Sequence, residues 1–143
     1  MLSNTCKYGI RAVIYISVYA TDKKKVGIKE ISSKLDIPSP FLGKILQSLS
    51  KHKILDSTKG PNGGFTLSKP AEQIPLMDIV EILDGTDIFD NCLIRTTECS
   101  DDDPCGLHDN VTAIRKQLKN FFMNQTILDL GAEFKRDSKR IRI

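Results

Sequence analysis

The 143-residue sequence predicts a mainly α-helical fold with one small β-hairpin, and three patterns predict it. Two short helical periodicities joined by a tight turn follow an almost wholly apolar first helix. A glycine-rich segment with weak alternation comes next. A long C-terminal stretch then repeats apolar residues every three or four positions. At this length the chain fits one compact domain with an appendage, since an ordinary core needs roughly 100 to 150 residues.

Taken in order, Ser3 or Asn4 supplies a helix cap, and "KYGIRAVIYISVYA" is apolar on nearly every side, which suits burial in a core or interface. The helix ends at the lysine turn "TDKKK". In "GIKEISSKLDI", Ile28, Ile31 and Leu35 fall at helical spacing. "IPSPFLGKILQSLSKHKIL" offers Ser39 as cap and Pro40 at the first helical position, with Leu42, Ile45, Leu46 and Leu49 on one face. "DSTKGPNGGFTLSKP" reads as a hairpin whose turn needs positive φ. "IPLMDIVEILDG" is a short helix closed by Gly85, with Leu76, Ile79, Val80 and Leu83 inward. From Leu107, the positions Leu107, Val111, Ile114, Leu118 and Phe121 form a heptad seam. Such a seam packs either within the chain or against its copy in a homodimer. The ending "KRDSKRIRI" is basic and expected to fray.

Charge divides the chain. Residues 1–70 hold 12 lysines and arginines against 4 acids, and residues 71–143 hold 9 against 14. A basic half points to a polyanion such as nucleic acid, or to a solvated lysine-rich surface. The longest apolar run, Ala12 to Ala20 with Ser17 inside it, is far short of the ~20 residues that span a membrane. No signal-peptide cleavage pattern follows it, so the expectation is a cytoplasmic protein without a membrane partner, its thiols in a reducing compartment.

Helix, helix, turn, helix and a Gly-tipped hairpin is the order of a winged helix-turn-helix, so the fold class is that motif followed by a long C-terminal helix. The division expected is 1–85 for DNA binding, 86–108 for a cysteine-rich loop, and 109–143 for a dimerisation helix and basic tail. Candidate contacts to double-stranded DNA are Ser39, Pro40, Phe41, Lys44 and Gln47 early in the second helix of the motif. Phe41 suits the core equally. The tip "KGPNGG" adds Lys59, Gly60 and Asn62 as phosphate or minor-groove contacts, or is merely a tight turn.

Three of the four cysteines and one of the two histidines lie in "CLIRTTECSDDDPCGLH", spaced C-x6-C-x5-C-x2-H. Four soft or borderline ligands suit zinc or an iron–sulphur cluster, and ligand count alone does not choose between them. Only Cys105 and His108 have the short spacing usual for structural zinc, and a wide loop suits a larger cluster. A disulfide-forming redox switch without metal is a further alternative. Cys6 reads as a small half-buried residue, His52 as a surface residue, and Asp101 to Asp103 as a solvated turn without the alternation of a calcium loop. An enzyme is not expected, because no nucleotide loop or nucleophile–base pair is recognisable.

The chain resembles the bacterial winged-helix regulators typified by the iron–sulphur cluster regulator IscR and the nitric-oxide sensor NsrR. The resemblance covers residues 1 to about 130 and rests on "KYGIRA", "IKEISSKLDIPSPFLGKILQSL", "KGPNGGFTLSK", "MDIVEILDG" and the cysteine loop. It implies a homodimer on palindromic promoter DNA, and it matches Cys92, Cys99, Cys105 and His108 to the ligands of a 2Fe-2S cluster in the IscR type. The NsrR type, a nitric-oxide-sensing repressor, holds a 4Fe-4S cluster with a carboxylate from the first helix. Lys7 stands at that place here. Gly43 stands where the IscR type has a glutamate that tunes site choice.

Overall fold

The computed structural model describes residues 1–94, 96 and 100–137. Its first helix, α1 (Asn4–Tyr19), is the axis of the fold. Ser3 caps it by accepting from the Cys6 N–H at 3.0 Å, and itself donates through its N–H and its hydroxyl to Asp84. Cys6, Ala12, Val13 and Ile16 of α1 are inaccessible to solvent, in keeping with a sequence apolar all round. Around α1 pack α2 (Ile28–Leu35), α3 (Ser39–Lys51), α4 (Leu76–Leu83), the second strand of the hairpin and the last helix.

The turn from α2 to α3 is sharp because Asp36 takes the left-handed conformation, with φ +53°. The Ile37 N–H then donates to the Ser32 carbonyl at 3.1 Å, and the Ser32 hydroxyl donates to the Ile37 carbonyl at 2.6 Å. Ser39 is not the cap that the sequence predicts. Pro38 occupies that position, with Ser39 and Pro40 first and second in the helix. The Ser39 hydroxyl donates instead to Ser32 Oγ at 2.9 Å, a partner supplied by α2 that outcompetes the local backbone. Leu42, Ile45, Leu46 and Leu49 are buried as the periodicity predicts.

Strands β1 (Leu55–Thr58) and β2 (Gly64–Leu67) pair antiparallel, with Leu55 opposite Leu67 and Thr58 opposite Gly64. At the tip, Gly60 has φ +104° and the Gly63 N–H donates to the Gly60 carbonyl at 2.9 Å. Val26 and Phe65 exchange backbone hydrogen bonds of 3.1 and 2.8 Å, fastening the hairpin to the segment before α2. Helix α4 follows a 3-10 turn, Ala71–Gln73, and Gly85 ends it at φ +77°.

The C-terminal half holds two helices that the sequence pattern does not announce. A one-turn helix, α5 (Asp87–Asp90), precedes the cysteine loop and buries Phe89 against Phe122, ring centroids 5.6 Å apart. After the long helix α6 (His108–Asn124) comes α7 (Ile127–Arg136). Helix α7 opens with a Thr126–Asp129 capping box and returns to α1, where Gly131 sits against Ser17 and Val18. Lys135 and Arg136 of the expected basic tail form its last turn; residues 138–143 lie outside the described residues.

The seam of α6 is resolved by one residue. Its buried positions are His108, Arg115 and Phe122, one heptad apart, each next to Leu107, Ile114 or Phe121 of the predicted stripe. One residue is about 100° of helix rotation, so in the single chain the apolar stripe is turned outward. Ile114 is 64 % exposed and Phe121 53 %, while Leu118 packs part-buried on the core.

Candidate functional site

Two surfaces combine unusual exposure with usable chemistry: the α3–hairpin face and the loop before α6. On the first, Pro40, Lys44 and Gln47 are exposed and Ser39 is half-buried. Lys59, Gly60 and Asn62 are exposed at the hairpin tip. Phe41 is 40 % exposed and meets Tyr8 edge-on, centroids 5.8 Å apart, so it is a surface aromatic braced from α1 and not a core residue.

The bracing continues. The Arg11 guanidinium lies 5.4 Å from the Tyr8 ring centre, and its Nη2 donates to the Leu35 carbonyl at 2.9 Å, satisfying an orphan carbonyl at the C-terminal end of α2. Tyr8 and Arg11 thus set the start of α3 relative to α2. Their i, i+3 spacing within "KYGIRA" is the sequence signal that places them on one helix face. Lys25 also belongs to this region: its Nζ donates to Thr58 Oγ1 at 2.6 Å, putting a cation at the tip end of the hairpin, next to Lys59. His52 ends α3 exposed, with Nδ1 2.8 Å from the Ser48 carbonyl oxygen, a surface residue as expected.

On the second surface, the Cys92 and Cys105 sulphurs are 3.7 Å apart. That exceeds the ~2.05 Å of a disulfide bond. Two thiolates bound tetrahedrally to one metal at about 2.3 Å stand ~3.8 Å apart, so this pair fits joint ligation. His108 is the first residue of α6 and is 8 % exposed. Its N–H donates to the Cys105 carbonyl at 2.9 Å, and Nε2 lies 2.9 Å from Asp101 Oδ1. A carboxylate that orients an imidazole is the usual companion of a metal-binding histidine. The Asp101 side chain is itself 97 % exposed, in the solvated turn that the sequence predicts, and this contact to the ring is one that its place among three consecutive aspartates conceals. Cys99 lies outside the described residues, and among the described residues no group of three or more metal-ligating side chains is assembled.

Cys6 is apart from these thiols in character. It is fully buried in the hydrophobic core, and burial, with Asp84 nearby, pushes its thiol up to about 12. Lys7 beside it is exposed.

Comparison with known proteins identifies the frame that carries these surfaces. Residues 2–133 match Rrf2, described as an iron-dependent transcriptional regulator. The chain belongs to the Rrf2 family. An Aquifex aeolicus relative named as an HTH-type transcriptional regulator is 34 % identical over 132 residues, 91 % of this chain and 90 % of that protein. Among solved structures, CymR, the global cysteine regulator of B. subtilis, has a TM-score of 0.78 at 20 % identity, covering 93 % of this chain and 97 % of that one. IscR of T. potens has a TM-score of 0.73 at 18 % identity, covering 100 % and 91 %. At those identities the two structures show the shared fold. As an Rrf2 protein the chain is a winged-helix, DNA-binding transcription regulator and not an enzyme. Among the described residues no helix is long and apolar enough to cross a membrane.

Proposed function

We propose that this Rrf2 regulator binds double-stranded promoter DNA under the control of an iron–sulphur cluster held by Cys92, Cys99, Cys105 and His108. The observation that carries the proposal is the 3.7 Å separation of the Cys92 and Cys105 sulphurs at the foot of a helix that begins with a carboxylate-oriented histidine. Four protein ligands suit a 2Fe-2S centre; a 4Fe-4S centre of the NsrR type draws a ligand from the first helix, where Lys7 offers an ammonium. The cluster supplies a redox-active cross-link among its ligands. The chain's own residues do the rest: Asp101 holds the His108 ring, the ligand loop sits at the start of α6, and α6 connects it to the core through Leu118 and Phe122.

On this reading residues 1–85 are the DNA-binding unit, 86–108 the sensing loop and 109–143 the dimerisation region. Ser39, Pro40, Phe41, Lys44 and Gln47 meet the major groove, and Lys59, Gly60 and Asn62 meet the flanking backbone or minor groove. Leu107, Ile114 and Phe121 face the second copy of the chain. The outward turn of that stripe supports the homodimer, because apolar residues recurring each heptad are otherwise left in water.

The test is an absorption spectrum of protein purified without oxygen, followed by DNA titration of the loaded and cluster-free forms. Visible charge-transfer bands are expected, lost in Cys92→Ala and Cys105→Ala and retained in Cys6→Ala. Colourless wild-type protein whose DNA affinity ignores iron and sulphide overturns the proposal. The same 3.7 Å pair favours a second reading, a thiol switch in which an added disulfide oxidises Cys92 and Cys105 to a bridge and is itself reduced to two thiols. Loss of two hydrogens in the mass of colourless protein, with a parallel change in DNA affinity, selects that reading.

A further inference from the structure

Arg115 is a buried cation with an uncommon set of partners. It is 8 % exposed, and its Nη1 donates to two backbone carbonyls, Asp90 at 2.9 Å and Asn91 at 2.6 Å. Its Nε is buried without a hydrogen-bond partner. Taking a guanidinium out of water is costly unless its donors are used. Here the compensation comes from the last two carbonyls before Cys92, the first thiol of the loop. Apolar packing alone needs no such residue at this place, since Phe89 against Phe122 already joins α5 to α6.

The position on α6 adds a second constraint. Arg115 stands one heptad after His108, so a single buried face carries the last residue of the loop and grips the two residues before its first thiol. Lys119, one turn further, reaches Asp90 Oδ1 at 3.4 Å. Between these two anchors Leu93 and Ile94 are exposed, so neither is fixed by hydrophobic burial. Whatever changes the spacing of Cys92, Cys105 and His108 therefore acts on α6 through His108 at one end and Arg115 at the other.

We infer that Arg115 is a positioning residue that clasps the base of the cysteine loop to α6 and makes DNA affinity depend on the state of the loop. The inference rests on the sensing role proposed above and adds the residue through which it works. Arg115→Met keeps the stem and removes the donors; Arg115→Lys keeps a charged donor of shorter reach. In cluster-free protein, alkylation of Cys92 should be about tenfold faster in Arg115→Met than in wild type, with Cys105 unchanged, because the lost hydrogen bonds release the α5 end of the loop. In the same variant the ratio of DNA affinities between loaded and cluster-free protein should fall by about fivefold or more toward one, with Arg115→Lys, whose shorter reach cannot meet both carbonyls, restoring only part of it.

Unchanged Cys92 reactivity and an unchanged affinity ratio in folded Arg115→Met overturn the clasp while leaving the sensing proposal intact. A wild-type protein that binds DNA equally with and without cluster overturns the sensing proposal instead, and the transmission through Arg115 with it. If circular dichroism shows that Arg115→Met does not fold, Arg115→Lys decides alone: Cys92 reactivity between two- and tenfold above wild type is expected, and wild-type reactivity refutes the clasp.

Discussion

Gly63→Ala tests the hairpin tip at its tightest point. A Cβ on Gly63 would lie 2.2 Å from the Thr58 carbonyl oxygen, 2.8 Å from the Lys59 carbonyl carbon and 2.9 Å from the Gly60 oxygen. Ordinary C···O contacts are about 3.3 Å or more, so the tip has to move by roughly 1 Å. All three neighbours are backbone atoms, and no rotamer change relieves them. The shift breaks the Gly63 N–H bond to Gly60, worth about 1 kcal/mol, and the exposed tip adds little more, so the cost to stability is about 1–2 kcal/mol. A thermal midpoint lower by roughly 3–8 °C follows for a chain of this size. Lys59 moves with the tip, and losing one phosphate or groove contact weakens DNA binding by about five- to tenfold. Circular dichroism melting reads the first effect, and anisotropy titration of a promoter fragment selected by the wild-type protein reads the second. Gly60→Ala is the comparison: its Cβ meets nothing within 4 Å, so only the strain of φ +104° opposes it and the tip keeps its place. A Gly63→Ala protein that melts and binds like wild type refutes the steric argument. One that melts lower but binds normally shows that the tip does not touch DNA.

DNA affinity should fall steeply with salt, and Lys59→Ala should weaken binding by about 1 kcal/mol and shallow the salt slope; insensitivity of binding to both salt and this change removes the hairpin from the interface. Ile114→Glu with Phe121→Glu should yield a monomer in light scattering without loss of helicity, since both side chains are exposed in the single chain. His108→Cys should keep a cluster and lower its reduction potential, because thiolate brings negative charge where imidazole brought none. Cys6 is neutral in the folded chain up to about 12 but ionises near its ordinary 9.0 once unfolded, so its contribution to stability is intact below pH 9 and declines as pH rises from about 9 to about 12. Urea midpoints of wild type and Cys6→Ala across that range should converge as pH rises.

Helices α1 to α4 and the hairpin were legible because their signals are local: alternating apolar positions, glycines at the turns, a cap at Ser3. The exception among them, the Ser39 cap, failed for a partner on another helix. Helix α7 escaped for the same reason on a larger scale, since "ILDLGAEFKR" carries Gly131 mid-helix and finds its place only against Ser17 and Val18, more than a hundred residues earlier. The face of α6 buried in the single chain lies one residue away from the apolar stripe, because it includes a histidine and an arginine. Those side chains are held by Asp101 and by the Asp90 and Asn91 carbonyls, which no count of apolar residues reveals. Of the proposed ligand set, residue types and spacing were plain from the sequence, and the structure adds the approach of Cys92 to Cys105; Cys99 lies outside the described residues.

The corner between α6 and α7 is stitched to the entry of α4: the Leu76 N–H donates to the Gln125 carbonyl and the Ile127 N–H to the Ile74 carbonyl, each at 2.9 Å. That stitch fixes the C-terminal end of α6, so any tilt of the helix would pivot there. Its 17 residues give an arm of about 25 Å. A tilt of about 10° at that pivot carries the His108 end roughly 4 Å but moves Phe121, one turn from the fulcrum, by only about 1 Å. A second chain lying along the arm would feel that tilt as a graded displacement, almost nothing at Phe121, more at Ile114 and most at Leu107, so a rearrangement at the loop would splay two such helices apart from one end.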